Sequence, residues 1–288
     1  MLLTPEFQIV SYNPEPHQTP ERPIKILRES TWTHVGPFLN PACLPPSFHT
    51  WAAGTFSPSS TNLLPLLSPF LSFLHSYLAE NNLLHYSLTI RAQKATAEYE
   101  VARWHFDRAV FQQPVQNKSV FAFGKKAAAT ATATTVKLAA ALTGPGTLFL
   151  KDGVKGRELL SRVEDDTKAA LKEKSLGDDE HVCYPLRCLG CADMASSIRF
   201  KLAAVVEAER LEVIQLRKGE VAIFRSEGKD RGLGLEGPAM HSEPDMSGGD
   251  RVFVHAIPGR EDELRGLVGG WGMEFPRDWA IGVPETFA

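Results

Sequence analysis

Segments with strand-like patterns lie on both sides of a long helical stretch, and this order leaves few architectures open to the chain. Alternating or β-favouring residues predict strands over residues 87–90, 98–104, 127–138, 147–150, 211–216, 221–224 and 251–256. Between about residues 151 and 210, apolar residues recur at helical spacing, which predicts two helices separated by a cysteine-bearing loop. The chain is therefore predicted to be an α+β protein whose β structure is interrupted by a helical insertion.

The first part of the chain differs from this pattern. Residues 1–60 are rich in proline and show no sustained period, so we expect an extended arm that packs on a core. Residues 61–288 are predicted to form that core as a single domain. A helix is predicted from Asn62 to about Leu84, because four leucines recur at spacings of four and three: Leu67, Leu71, Leu74 and Leu78.

Composition excludes several classes of protein and partner. With 43% hydrophobic and 23% charged residues among 288, the chain is globular rather than disordered or fibrous. A net charge of -3 argues against nucleic acid or an anionic membrane as partner and favours a small molecule. The most apolar run, residues 63–78, is broken by Pro65 and Pro69, so no membrane span is expected. The four cysteines are too few for a disulfide framework and no secretory signal is evident, which predicts a cytoplasmic protein.

Two side chains that can bind a metal follow one of the predicted strands. His105 and Asp107 are two residues apart, and side chains at that spacing on a strand point to the same face. An imidazole and a carboxylate on one face, joined by a second histidine, form the facial triad that binds Fe(II) and leaves positions open for substrate and O2. The alternative is a hydrogen-bonded pair at the end of a strand, with no metal.

His241 is the candidate for the third metal ligand. It follows one predicted strand and a glycine-rich loop and precedes the last strand, where a barrel would bring it opposite the first pair. His255 is the alternative ligand. Arg251 lies ten residues after His241, and its planar guanidinium suits a dicarboxylate bound beside the iron.

A second group of possible metal ligands lies between the two predicted helices. Its members can all bind zinc and fall within eleven residues: His181, Cys183, Cys188 and Cys191. Structural zinc sites usually pair two short knuckles across a longer loop, and this spacing is irregular. Free thiols near the start of a helix are the alternative.

The order of HxD, a distant histidine and an arginine ten residues later resembles the Fe(II)/2-oxoglutarate-dependent oxygenases. A closer similarity, over about residues 88 to 256, is to an uncharacterised and largely bacterial family. It rests on five stretches: 103–107 (RWHFD), 143–147 (TGPGT), 218–224 (KGEVAIF), 239–244 (AMHSEP) and 249–252 (GDRV). A narrower resemblance is to fungal biosynthetic oxygenases that act on a small branched amino acid such as valine and close an aziridine ring.

The resemblance implies a double-stranded β-helix of the jelly-roll or cupin kind, with flanking helices and the insertion at about residues 151–210. It implies Fe(II), O2 and 2-oxoglutarate as cofactors, with three metal ligands: His105, Asp107 and His241. Arg251 would hold the distal carboxylate of 2-oxoglutarate, and Lys137 and Thr147 would reach a carboxylate of the cosubstrate or the substrate. Arg225, at the end of its predicted strand, is a candidate substrate-binding residue. For Lys137 and Arg225 a solvated side chain is the alternative.

Three functions agree with these patterns. The first is an Fe(II)/2-oxoglutarate-dependent oxygenase that oxidises a C–H bond of a small, amino-acid-like metabolite, by hydroxylation or by oxidative cyclisation such as aziridine formation from valine. The second is a cupin-like metal-dependent dioxygenase without 2-oxoglutarate, which predicts no basic residue within reach of the open metal positions. The third is a non-enzymatic binding module stabilised by zinc.

Overall fold

The computed structural model describes residues 2–4, 6–13, 24–57, 63–108, 110–111, 136–174, 189–226 and 237–283. Within these ranges the chain forms thirteen strands and five α-helices. The strands are β1 (Leu2–Leu3), β2 (Phe7–Ser11), β3 (Lys25–Ile26), β4 (Ser30–Pro37), β5 (Phe56–Ser57), β6 (His85–Gln93), β7 (Val136–Thr143), β8 (Leu148–Leu150), β9 (Val213–Gln215), β10 (Glu220–Arg225), β11 (His241–Ser242), β12 (Arg251–Gly259) and β13 (Arg277–Ile281). The helices are α1 (Pro46–Thr55), α2 (Leu64–Glu80), α3 (Gly153–Lys174), α4 (Leu189–Ala208) and α5 (Glu261–Gly270).

Eight strands form one antiparallel sheet in the order β1-β2-β10-β7-β12-β6-β4-β13. Its longest pairing joins β12 to β6, from Arg251 opposite Gln93 to Gly259 opposite His85. A small antiparallel sheet has the order β11-β8-β9, and a single bridge adds the segment around His105 beside β11. The large sheet is open, so the structure is a mixed α and β fold built on an antiparallel sheet that does not close on itself.

Alternate residues of the large sheet face two different surroundings. On β7, Leu138 and Ala140 belong to the main core, which also contains the buried side chains of α1 and α2. Their neighbour Ala139 instead packs with Phe149 of β8, in a cluster between the two sheets. Because side chains alternate along a strand, the helices cover one face of the large sheet and the small sheet covers part of the other.

The helix predicted over residues 62–84 is confirmed as α2, with Pro65 in its first turn. The four leucines that predicted it are all fully buried, with at most 1% of each exposed. They pack on the large sheet together with Trp32 and Trp51. Of the described helices, none combines the length and the apolarity needed to cross a membrane.

The two helices predicted between residues 151 and 210 are confirmed as α3 and α4, which pack against each other. Their apolar faces meet through Leu159 and Val163 of α3 and Leu202 and Val206 of α4. The same cluster contains Met240, the residue before β11. The inserted helices therefore support the backbone that carries His241.

The strand predicted over residues 98–104 is wrong. The Thr96 hydroxyl accepts a hydrogen bond from the backbone N–H of Glu98, and this local bond begins a short 3-10 helix at Ala97–Tyr99. The predicted strand over residues 127–135 lies outside the described residues, and β7 begins at Val136. The proline-rich first part of the chain contains α1, a helix that was not predicted from the sequence. The boundary at residue 60 between an arm and a core domain stays a prediction.

Replacing the core residue Leu67 by alanine should lower the free energy of unfolding by about 2–5 kcal/mol, since it leaves a cavity under α2. Leu84→Ala removes the same atoms from a residue that is 64% exposed, and we expect a change within about 0.5 kcal/mol. Urea denaturation followed by circular dichroism measures both. Equal losses for the two variants would contradict this assignment of the core.

Candidate metal centre

A single β-bridge brings two histidines together. The backbone N–H of His105 donates to the carbonyl oxygen of His241 and the reverse bond completes the pair, each with an N···O distance of 3.0 Å. Residues directly opposite each other in an antiparallel pair project on the same side, and the two imidazole centroids lie 4.4 Å apart. The sequence predicted that His105 lies on a regular strand. It does not, because only the single bridge to His241 pairs it with another segment.

Asp107 completes a group of three possible ligands. Its Oδ2 lies 3.5 Å from Nε2 of His241, and its Oδ1 lies 3.9 Å from Nε2 of His105. One ligand atom from each of the three side chains lies within 4.8 Å of the others. Two imidazole nitrogens and one carboxylate oxygen that can bind one face of a metal ion are the donor set of a facial triad.

Hydrogen bonds orient both imidazole rings. Nδ1 of His105 lies 2.6 Å from the carbonyl oxygen of Arg103, and Nδ1 of His241 lies 3.0 Å from that of Ala239. A carbonyl oxygen only accepts, so each Nδ1 carries the hydrogen and Nε2 of the neutral ring presents a lone pair. Burial lowers the pKa of His241 to about 3, which keeps the ring neutral at pH 7. Both rings are prepared to bind a metal through Nε2.

Lys137 holds the carboxylate of Asp107 in its ionised form. Burial by itself would raise the pKa of Asp107, but the positive charge of Lys137 and its hydrogen bond to the carboxylate lower it to about 2. The Lys137 ammonium donates to Oδ2 of Asp107 at 2.8 Å. The hydrogen bond between Lys137 and Asp107 was not predicted from the sequence. The predicted contact of Lys137 with a carboxylate of the cosubstrate or substrate stays a prediction.

Arg251 is buried beside the triad. Only 2% of the residue is exposed, and its Nη2 donates to the Thr147 hydroxyl at 2.8 Å. The guanidinium carbon lies 4.4 Å from the centroid of the Phe253 ring, a cation–π distance. Burial lowers the pKa of Arg251 to about 10, so the guanidinium stays charged at neutral pH.

The turn between β7 and β8 needs two glycines to place Thr147 against Arg251. Gly144 has a φ of +77°, and a Cβ there would lie 2.3 Å from the carbonyl oxygen of Asp250. A Cβ on Gly146 would lie 2.1 Å from the carbonyl oxygen of Leu216. The turn can therefore pack directly on the start of β12 and on Leu216, just after β9, only without side chains at these two positions.

A cavity of about 200 Å³ collects these groups. Its wall includes the residues predicted to bind a metal or a carboxylate: His105, Asp107, Lys137, Thr147, His241 and Arg251. Phe224 and Phe253 add apolar surface. His255 also lines the cavity but is not a member of the ligand group, and burial lowers its pKa well below the usual value.

Two other predicted groups lie elsewhere. Arg225 is buried at the end of β10, and among the described residues the wall of the cavity does not include it, so its role in substrate binding stays a prediction. Of the possible zinc ligands, His181, Cys183 and Cys188 lie outside the described residues. The side chain of Cys191 is also outside the described part of the structure.

The sequence analysis missed other residues in the wall of the cavity: Arg91, Gln93, Tyr99 and Glu243. Arg91 and Gln93 follow Thr89 at spacings of two on β6, so they share its face. Extending the predicted strand past Ile90 would have identified both of them. Tyr99 and Glu243 lie on irregular segments that carry no such signal.

No family model, curated protein or solved structure matches this chain. The function of the chain is therefore inferred from the geometry of the cavity and the chemistry of its side chains.

Replacing Asp107 by alanine should weaken Co(II) or Fe(II) binding by more than roughly 100-fold, since loss of a residue that only hydrogen-bonds to a ligand already weakens binding about 10–100-fold. Anaerobic metal titration measures the affinity. Asp166→Ala, which removes an exposed carboxylate from α3, should bind metal like the unmodified protein. Unchanged affinity in Asp107→Ala would exclude the triad as the metal centre.

Replacing Gly144 by alanine should destabilise the protein by more than about 1 kcal/mol, because the positive φ and the contact with the backbone at Asp250 both oppose a side chain. Gly248→Ala is the matched control, since a Cβ there meets nothing within 4 Å. Thermal unfolding compares the two variants. If they unfold at the same temperature, the turn is not packed on β12 as described.

Proposed function

We propose that this protein is a non-haem Fe(II)/2-oxoglutarate-dependent oxygenase that oxidises a C–H bond of a small, amino-acid-like metabolite in the cytoplasm. The observation that carries the proposal is the presence of two complementary sites in one cavity: the triad of His105, Asp107 and His241, and the buried guanidinium of Arg251. Neither nucleic acid nor a membrane is part of the proposal. Hydroxylation and ring closure, including aziridine formation from valine, are both within this chemistry.

The donor set fits iron. Two neutral imidazoles and one carboxylate suit Fe(II) and leave the remaining positions for exchangeable ligands. His105 and His241 would bind through Nε2, since each Nδ1 is engaged by a carbonyl oxygen. Asp107 would bind through one oxygen while Lys137 keeps the other. Iron bound here would allow O2 to oxidise a C–H bond of the substrate, while 2-oxoglutarate is converted to succinate and CO2.

Arg251 supplies the second half of the site. A buried guanidinium offers paired N–H donors that match a carboxylate, and Thr147 fixes its orientation through the bond at 2.8 Å. A dicarboxylate such as 2-oxoglutarate can therefore reach the metal with one end and Arg251 with the other. Phe253, Phe224 and Phe149 surround the site with apolar surface, which limits access of water to the reacting groups.

The course of the chain supports a double-stranded β-helix as the core, which forms part of the proposal. From β6 to β12 the chain passes back and forth between the sheets: β6, β7, β10 and β12 lie in the large sheet, and β8, β9 and β11 lie in the small one. The bridge at His105 adds a fourth segment to the small sheet. Two facing sheets of four such segments are the jelly-roll arrangement.

A cupin-like enzyme without 2-oxoglutarate is the alternative. It predicts no basic residue near the open metal positions, whereas Arg251 and Lys137 both line the cavity of the triad. This observation favours the 2-oxoglutarate-dependent reaction. No observation on the described residues favours the zinc-stabilised binding module.

The proposal is tested by adding Fe(II) and then 2-oxoglutarate under nitrogen and following the weak visible charge-transfer band of the iron chelate. We expect a band that is lost in His105→Ala. In Arg251→Ala the apparent affinity for 2-oxoglutarate should fall roughly 10–150-fold, because a charge-assisted hydrogen bond contributes about 1.5–3 kcal/mol.

Matched controls are His49→Ala and Arg277→Ala, which remove exposed side chains of the same two types. Both should give the band of the unmodified protein. Iron binding without a band would instead support the cupin-like enzyme. Uptake of zinc with no uptake of iron would contradict both reactions.

A further inference from the structure

A second and larger cavity, of about 680 Å³, adjoins the metal cavity. Four residues line both of them: Arg91, Gln93, Tyr99 and His255. The larger volume falls within the range of roughly 300–1,000 Å³ that is usual for small-molecule sites. The metal cavity of about 200 Å³ leaves little room beside a metal ion and 2-oxoglutarate. A substrate of ordinary size therefore needs the larger cavity.

The two ends of the larger cavity differ in chemistry. On the paired strands β6 and β12, Arg91 lies opposite Phe253 at the metal end, and Ser87 lies opposite Ile257 at the far end. Four residues along a strand span about 13 Å. Ile257 belongs to an apolar cluster with other residues of the far wall: Val110, Leu267 and Trp279. An occupant thus meets a cation at one end, the hydroxyl groups of Thr33 and Thr89 in between, and apolar surface at the far end.

Arg91 is the charged group in this wall that is available to a ligand. Glu98 is paired with Arg103, and Glu29 accepts the backbone N–H of Lys94 at 3.1 Å. Within the described part of the chain, the guanidinium of Arg91 has neither a carboxylate nor a hydrogen-bond partner. Arg91 is an exposed residue two positions from the end of the β6–β12 pairing, and it lines both cavities. An anion bound there would find a free planar donor pair.

The other basic side chains near the triad are already engaged, and Arg91 is not. Lys137 is engaged by Asp107, and Arg251 is positioned by Thr147 for the distal carboxylate of 2-oxoglutarate. A guanidinium that engages neither the metal ligands nor the cosubstrate is free to bind an anionic group of the substrate. We infer that Arg91 binds a carboxylate of the substrate, whose apolar body occupies the larger cavity. The inference rests on the proposed function, since it takes the metal cavity as the place of reaction.

The substrate class that follows is a carboxylic acid with a hydrocarbon body. The carboxylate lies at the junction of the two cavities, and the body extends toward Ile257, Leu267 and Trp279. The carbons next to the carboxylate are then the ones held beside the metal cavity. Arg91 is a binding and specificity residue in this arrangement, with a role separate from those of the metal ligands and of Arg251.

Hexanoate is a suitable probe, and hexanamide is its uncharged counterpart. Protein loaded with Fe(II) and 2-oxoglutarate under nitrogen is titrated with each, following tryptophan fluorescence, because Trp271 and Trp279 line the larger cavity. Hexanoate should give a saturable change without loss of the visible band, and hexanamide should bind at least roughly tenfold more weakly. Arg91→Met should reduce hexanoate binding to the level of hexanamide, and Arg91→Lys should restore part of it.

Arg277→Met, which removes an exposed guanidinium from β13, is the matched control and should bind hexanoate normally. The inference is overturned if the unmodified protein does not bind hexanoate, or if Arg91→Met binds it as tightly. It is also overturned if hexanoate removes the band, since the probe would then compete with 2-oxoglutarate. If no band forms but hexanoate binding still depends on Arg91, the proposed oxygenase reaction fails and the carboxylate site stands.

Discussion

The backbone pairing between His105 and His241 determines where each ligand of the metal centre lies. It joins a segment that follows β6 to a strand that precedes β12, and on its other side β11 pairs with β8 through His241 opposite Phe149. A shift of one residue in such a pairing turns every side chain to the opposite face. The triad therefore depends on backbone hydrogen bonds more directly than on any contact between the ligands themselves.

Burial gives these side chains their chemical state. An isolated buried charge is costly, and the charges of Asp107 and Arg251 each have a partner or an orienting hydrogen bond. Asp107 is ionised because Lys137 lies beside it, and His241 is neutral because its surroundings exclude water. Arg251 is still charged because its pKa of about 10 lies far above neutral pH. The result is a cavity with an acidic ligand for a cation and basic groups for anions.

Local periodicity was enough to predict the elements that bury one continuous face. Helix α2 follows from its leucine spacing, and α3 and α4 follow from apolar residues that meet each other. The pattern failed where a local polar contact competes with a strand, as at Thr96 and Glu98. It also missed α1, whose buried residues do recur at helical spacing, but only over ten residues that begin with a proline: Phe48, Trp51, Ala52 and Thr55. Arg91 was missed because the strand that carries it was predicted too short.

The sequence by itself determined the chemical types in the site and their order along the chain: an HxD pair, a later histidine and an arginine ten residues beyond it. Only the tertiary structure decided that these side chains share one cavity with Lys137 and Thr147, and that Arg225 lies outside its described wall. The physical reason is that the residues belong to different strands far apart in sequence. Their meeting depends on the pairing between strands and on what each face buries, and neither is encoded in any short window of residues.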